Sequence, residues 1–349
     1  MKKKICVILA VVFIGIAVFI LKFMKDAGEF KTLEPHSNCA CVKVLNVPGP
    51  EDIAIDNSTG TAFISSFDRR ALMRGNIKQG AIFAYNLLGK PAIKNLTAGL
   101  TMKFQPHGIS FYTGPDGRKY LFVINHQPPR HFVEIFEFSN STLVHLETVS
   151  GDLMISPNDV AAVGPRQFYF TNDHGSKSNR GRQIEDYLRL SRSNIVYYDG
   201  TSLRKVAGDL AYANGIWATA DGKTIYVTST IGKKFHVYDR DGATGSLKQV
   251  YELYLDTGCD NIDVDANGKI RIACHPKLFS LIKHTKDRTK KAPSQILEVF
   301  KSENGTYSFK EIYCNLGDEI SAASVGAVYQ NRLLIGAIFE DFFLDCTMK

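Results

Sequence analysis

The chain has 349 residues, 44% of them hydrophobic and 11% aromatic, with 28 glycines and a formal net charge of +7. That much apolar material supplies a large core, in one repeat-built domain or two ordinary ones. Leucine-rich heptads are missing, while Val, Ile, Tyr, Phe and Thr recur in short runs, a composition that points to an all-β protein.

At the N-terminus, Lys2, Lys3 and Lys4 precede an uninterrupted apolar run from Ile5 to Leu21, followed by Lys22 and Lys25. At about 1.5 Å per residue this run falls slightly short of a ~30 Å hydrocarbon core, and Phe23 and Met24 extend it. The flanking lysines favour a cytoplasmic N-terminus with the rest of the chain exported. Residues 1–29 therefore read as an uncleaved signal anchor, with a signal peptide cleaved near Ala27 as the alternative. Either way residues 30–349 fold outside the cytoplasm. Cys39 and Cys41 open this part and Cys346 ends it, so a bridge between the ends would lock a closed ring of strands. Cys259 and Cys274 lie inside apolar runs and read as buried thiols. Asn57, Asn95, Asn140 and Asn304 stand in glycosylation sequons, which matter only in a host that uses them.

Six segments then share one form: a polar opener, an apolar run, a turn and a second strand. They begin at Glu51, His107, Asn158, Asn214, Asp260 and, in degenerate form, Ser324, and the first five starts are 56, 51, 56 and 46 residues apart. Further strand-like pairs such as AIFAYNLLG, VEIFEFS, NIVYYDG and KFHVYDRDG lie between them. Several short strands per period, broken by Asp-Gly and Asn-Gly turns, predict a six-bladed β-propeller closed by a link between its N- and C-terminal ends. Asp263, Asp265, Asn267 and Gly268 imitate the start of an EF-hand, but Cys274 stands where a bidentate carboxylate is required. The repeat makes Asp265–Gly268 an outer hairpin turn instead.

In a propeller the innermost strands begin around one mouth of a central channel. The openers converging there are Glu51–Asp52, His107, Asn158–Asp159, Asn214 and Asp260–Asn261. Four carboxylates and three amide oxygens around one axis suit a cation that takes 6–8 oxygens, calcium before magnesium. A channel holding so much buried acid without a metal would be costly.

Two stretches carry the excess charge: residues 277–291 have six Lys/Arg against one Asp, and 176–192 have five against two acids. They read as solvated loops, since no aromatic-basic interleaving or nucleic-acid motif accompanies them; attraction to anionic lipid or an acidic substrate fits the same charge. Residues 184–191 suit a short amphipathic helix, its apolar face packed on the propeller or, as the alternative, turned to lipid.

The ordered series GPED, PHGIS, VINH, NDVAAVG, TNDH, ANGI, DNI-x-VD, CHP and LLIG, running between Cys39 and Cys346, resembles the paraoxonase/arylesterase lactonases, six-bladed propellers with two calcium ions in the channel. The resemblance implies a catalytic calcium held by Glu51, Asn158, Asn214, Asp260 and Asn261. It implies a structural calcium held by Asp52, Asp159 and the backbone carbonyl of Ile109. It places His107 and His126 as a histidine dyad and gives Asp173, His174, Cys274 and His275 supporting positions. It also implies a Cys39–Cys346 disulfide and an uncleaved leader, hence a membrane-anchored, exported hydrolase of small lactones and, promiscuously, aryl esters. The chemistry is coherent: calcium polarises the ester carbonyl and His107 activates water with His126 orienting or relaying, Asp260 or another calcium-bound carboxylate being the alternative base. It needs no covalent nucleophile and no G-x-S-x-G elbow. Two rival readings are a calcium-stapled propeller that only binds a ligand or partner, and a gluconolactonase-type sugar-lactone hydrolase. The segments 68–80 and 277–291 depart from the family pattern at the mouth, so the physiological lactone and the oligomeric state stay open.

Overall fold

The computed structural model describes residues 2–349; Met1, the first residue of the expected anchor segment, lies outside the described residues. Among the described residues the strands form six sheets. Their innermost strands are Pro50–Asp56, Pro106–Thr113, Pro157–Gly164, Ala213–Ala218, Gly258–Val264 and Ala323–Tyr329. Each touches the next and the last returns to the first, which closes a six-bladed propeller. Blades are numbered one to six in that order. The inner strands are buried nearly throughout, as Pro50–Asp56 and Ala323–Tyr329 show. The outermost strands alternate between half-buried and exposed, as in Thr142–Val149, where one face meets water.

Six apolar clusters fill the interfaces between neighbouring blades. Between blades two and three, for example, Phe122 and Ile124 pack against Phe168 and Phe170. Fully burying a side chain of this size stabilises by about 1.5–3 kcal/mol. The EF-hand imitation is the expected hairpin: Gly268 takes φ +77° and Asp265 Oδ1 accepts from Asn267 N and Lys269 N.

Closure is mixed. The N-terminal strand Cys39–Leu45 pairs with the C-terminal strand Phe342–Met348 as the outer edge of blade six, while His36–Ser37 adds to blade five. The register sets Cys41 opposite Cys346, and these two form the disulfide. The expected Cys39–Cys346 bridge is thereby corrected. Cys39 lies two residues further along, opposite Met348, and about 3.3 Å of rise per residue carries its sulfur out of reach.

Four helices decorate the strands among the described residues: α1 (Lys2–Asp26), α2 (Arg69–Met73), α3 (Asn179–Leu188) and α4 (Leu278–Lys286). α1 is long and apolar enough to cross a membrane, and its large apolar side chains from Ile5 to Leu21 are exposed. The other three sit between the second and third strands of blades one, three and five. A second strand runs antiparallel to the first and so ends at the mouth where the first began. These insertions therefore rise over the same mouth. The basic stretches are thus partly helical. The helix expected at 184–191 begins earlier, at Asn179, and ends at Leu188, where Arg189 adopts a left-handed cap. Its apolar residues Ile184, Tyr187 and Leu188 are exposed, a correction to the expectation that they pack on the propeller.

The base of α1 is fixed to this collar. Asp26 pairs with Arg189 at 2.7 Å, and Leu278 N donates to Ala27 O at 3.0 Å. The Phe23 ring meets Phe279 with centroids 5.4 Å apart. Gly28 makes the turn at φ +78°, where a Cβ would lie 2.0 Å from Pro276 O.

Candidate metal centre and active site

The openers alternate around the ring. Blades one, three and five begin with the pairs Glu51–Asp52, Asn158–Asp159 and Asp260–Asn261. Blades two and four begin with His107–Gly108 and Asn214–Gly215. The glycines let the pairs close in: a Cβ on Gly108 would stand 2.4 Å from Asp159 Oδ1, and one on Gly215 would stand 2.8 Å from Asp260 O. The pairs of blades one and three also send a carboxylate to the next blade. Asp52 Oδ2 accepts from Ile109 N at 2.7 Å, and Asp159 Oδ2 accepts from Ile216 N at 2.8 Å. In blade five the donor goes to Asp263, one pleat further on, whose Oδ2 accepts from Val328 N at 3.0 Å. Asn261 is thereby left to face the mouth.

The amide nitrogens are all spent on protein partners. Asn214 Nδ2 donates to Thr230 Oγ1 at 2.9 Å, Asn261 Nδ2 to Glu51 Oε1 at 2.9 Å, and Asn158 Nδ2 reaches Asp173 Oδ2 at 3.5 Å. That orientation turns the other end of each amide into the channel. Asn158 Oδ1, Asn214 Oδ1, Asn261 Oδ1 and Glu51 Oε2 are buried there without a hydrogen-bond partner. A buried orphan oxygen costs about 1–3 kcal/mol, so four together mark a place built for a cation. His, Cys, Asp and Glu alone supply no group of three fit for a metal among the described residues. The amide oxygens complete the set, a donor chemistry that suits calcium rather than zinc.

Electrostatics agree. Burial lifts the Glu51 carboxyl to about 8, with Arg69 opposing and Asp260 adding to the rise. Burial, and then Glu51, push Asp52 well above the usual carboxylate range; burial, and then Asp52, do the same to Asp159. Such groups stay ionised only beside a positive charge. The residues expected from the sequence to hold calcium are therefore brought together at one mouth. Ile109 is there too, meeting Asp52 through its N–H.

The histidines are arranged differently from a hydrogen-bonded dyad. The His107 and His126 rings meet edge to face with centroids 4.9 Å apart, and each Nδ1 turns elsewhere. His107 Nδ1 lies 2.9 Å from Arg69 Nη2, and His126 Nδ1 lies 2.8 Å from His131 Nδ1. Burial and the adjacent Arg69 hold His107 well below its ordinary value, and burial followed by His131 lowers His126 to about 3. Both shifts favour the uncharged ring. Sequence reasoning missed Arg69 and His131. Arg69 opens the blade-one insertion and His131 lies at the start of the third strand of blade two, opposite His126, positions at which the repeat carries no signal.

The supporting residues fall into two groups. His174 bridges Asp173 at 2.6 Å and Asp186 at 2.9 Å, so Asp173 in turn steadies Asn158. His275 Nε2 meets Asp260 Oδ2. Cys274 faces away, into the apolar cluster between blades four and five together with Cys259, as expected for buried thiols.

Above the openers lies a cavity of about 410 Å³. Glu51, Arg69, His107, Asn158, Asn214 and Asp260 form its polar floor. Phe23 of α1, Tyr187 of α3, Phe279 and Ile282 of α4, and Phe339 form apolar walls. The foot of the membrane-length helix is thus part of the wall.

Fold and site together define a six-bladed propeller whose channel mouth is an oxygen-lined cage beneath an apolar vestibule. The family model for arylesterase matches residues 29–347. Over 95% of the chain, it is 33% identical to the mouse (Mus musculus) serum paraoxonase/arylesterase 1, of which it covers 97%. It is 35% identical to the chicken (Gallus gallus) serum paraoxonase/arylesterase 2, with 95% of this chain and 97% of that one aligned. The chain belongs to the arylesterase family. Among solved structures it is similar in fold to a luciferin-regenerating enzyme, with a TM-score of 0.56 at 12% identity over 88% of this chain and 95% of that one.

Proposed function

We propose that this protein is a membrane-anchored, calcium-dependent carboxylic-ester hydrolase that opens lactones and, with less discrimination, cleaves aryl esters. The observation that carries this reading is the set of four buried, partnerless oxygens, three of them on residues that floor an apolar-walled cavity and the fourth on Asn261, bonded to Glu51. Glu51, Asn158, Asn214, Asp260 and Asn261 would hold one calcium ion, and Asp52, Asp159 and the Ile109 carbonyl a deeper one. Calcium bound at the floor supplies a Lewis acid for the ester carbonyl and for the charge that develops on its oxygen.

The chain's own residues supply the rest. The apolar walls hold the hydrocarbon part of the substrate and exclude bulk water, which strengthens every polar contact below. His107 lines the cavity with Nε2 facing Glu51 Oε1 at 3.6 Å, and is the side chain placed to present or exchange a proton there. His126, outside the lining set, backs the His107 ring edge-on. Asp173 and His275 keep Asn158 and Asp260 turned toward the cage. The paired openers Glu51–Asp52 and Asn158–Asp159 supply enough ligands for two ions, which favours this reading over a single-metal sugar-lactone hydrolase. A histidine on the cavity floor favours it over a ligand-binding propeller, because a staple needs none. α1, carrying the exposed apolar run, would anchor the propeller on the exported side.

A panel of γ- and δ-lactones and phenyl acetate tests the proposal. Turnover that vanishes with a chelator and returns with calcium is expected. No turnover of any substrate by the calcium-loaded protein would favour a binding module.

A further inference from the structure

Arg69 enters the site from the blade-one insertion, where α2 begins. Asp68 Oδ1 caps that short helix by accepting from Ala71 N at 2.8 Å, and so fixes where the next side chain points. The Arg69 side chain is 13% exposed, and its Nη2 lies 2.9 Å from His107 Nδ1 and 4.0 Å from Glu51 Oε2. Longer contacts, 3.4 Å to Gly49 O and 3.5 Å to Phe67 O and Pro106 O, hold the guanidinium against the main chain.

We propose that Arg69 is a positioning residue that donates to His107 Nδ1, confines the His107 proton to Nε2, and so makes His107 a hydrogen-bond donor to the substrate rather than the base. A guanidinium has five N–H donors and no acceptor, and it keeps its protons at any physiological pH. Nδ1 must therefore present its lone pair, and a neutral imidazole then carries its single proton on the other nitrogen. That nitrogen faces the cavity. Its nearest carboxylate oxygen, Glu51 Oε1 at 3.6 Å, is too far for a proper hydrogen bond, so the N–H is free for an incoming oxygen.

A neutral imidazole held this way polarises a carbonyl and stabilises the developing oxyanion without accepting or giving up a proton. The substrate carbonyl oxygen takes up the Nε2–H hydrogen bond as it gains charge, and the proton stays on nitrogen throughout. The proton of the attacking water then passes to a carboxylate of the floor, Glu51 or Asp260. The inference rests on the reading of His107 as a participant in ester hydrolysis, and it assigns its direction.

Two measurements decide it. Long-range ¹H–¹⁵N correlation spectra of the full-length, calcium-loaded protein with labelled histidine report each ring's tautomer, and H107Q identifies which signals belong to His107. The Nε2–H tautomer is expected at neutral pH in the wild type, and a mixture of tautomers in R69M. An Nδ1–H or doubly protonated His107 in the wild type overturns the proposal, whether or not the protein hydrolyses any lactone. The second is a double-mutant cycle on kcat. R69M should lower kcat about 10- to 100-fold, the usual effect of losing an outer partner, with KM within about twofold. R69K, which keeps one donor, should recover most of the loss and serves if R69M folds poorly. In an H107Q background the Arg69 substitution should cost less than about twofold. An equal loss in both backgrounds, or a loss confined to KM, would mean that Arg69 does not act through His107.

Discussion

His275 Nε2 stands 2.7 Å from Asp260 Oδ2, and both side chains are buried, at 2% and 5% of their free exposure. One carboxylate oxygen is thus tied to an imidazole while the residue's other oxygen remains for the cage. This is the outer-partner arrangement that orients a metal ligand, and removing such a partner typically weakens metal binding about 10- to 100-fold. H275N should accordingly weaken calcium affinity by that factor in isothermal titration. An unchanged affinity would reduce the pair to a structural contact.

The Asp173–His174–Asp186 group makes a pH prediction. Burial alone would lower the His174 value, but the hydrogen bonds it donates to Asp173 and then Asp186 outweigh it and raise the group to about 9. A folded value above the unfolded one, near 6.5, stabilises the native state fully below about pH 6.5. That contribution fades as pH rises through about 9, each unit of raise being worth about 1.4 kcal/mol. The difference in unfolding free energy between wild type and H174Q should therefore be flat from pH 5.5 to 6.5 and shrink toward pH 9.5. A difference that grew with pH would contradict the charged bridge.

The ring closure can be checked covalently. Cys41 and Cys346 are 305 residues apart in sequence, so their bridge removes a very long loop from the unfolded chain. C41S or C346S should lose about 2–5 kcal/mol, within the usual range for native disulfides. C39S should change stability little, and peptide mapping without reduction should recover the 41–346 pair. Recovery of a 39–346 peptide would mean the edge strand is shifted by two residues.

That disulfide shows where sequence reading stops. The openers were legible because one repeat position recurs around the ring, and a propeller converts recurrence along the chain into proximity at the channel. Asp52 and Asp159 were found this way although they sit more than a hundred residues apart. The choice between Cys39 and Cys41 depends on strand register, which two cysteines with one residue between them leave undetermined. Arg69 comes from an insertion and His131 from the start of a third strand, both outside the repeated openers, and only the insertion folding over the mouth brings Arg69 to His107. The same holds for Phe23, a residue of the apolar leader that becomes part of the cavity wall. For α3 the amphipathic pattern indicated a helix, but not whether its apolar residues would pack or remain exposed.

Elemental analysis of protein purified without chelator, coupled to thermal unfolding, tests the oxygen cage most directly. Two calcium ions per chain are expected. Chelation should lower Tm sharply, because four orphaned oxygens and the acidic residues Glu51, Asp52 and Asp159 would lose their counter-charge. Substituting Asn158 and Asn214 together by Ala should remove one of the two ions. Protein that carries no alkaline-earth ion, and whose Tm is indifferent to chelator and to added calcium, would contradict the account at its root.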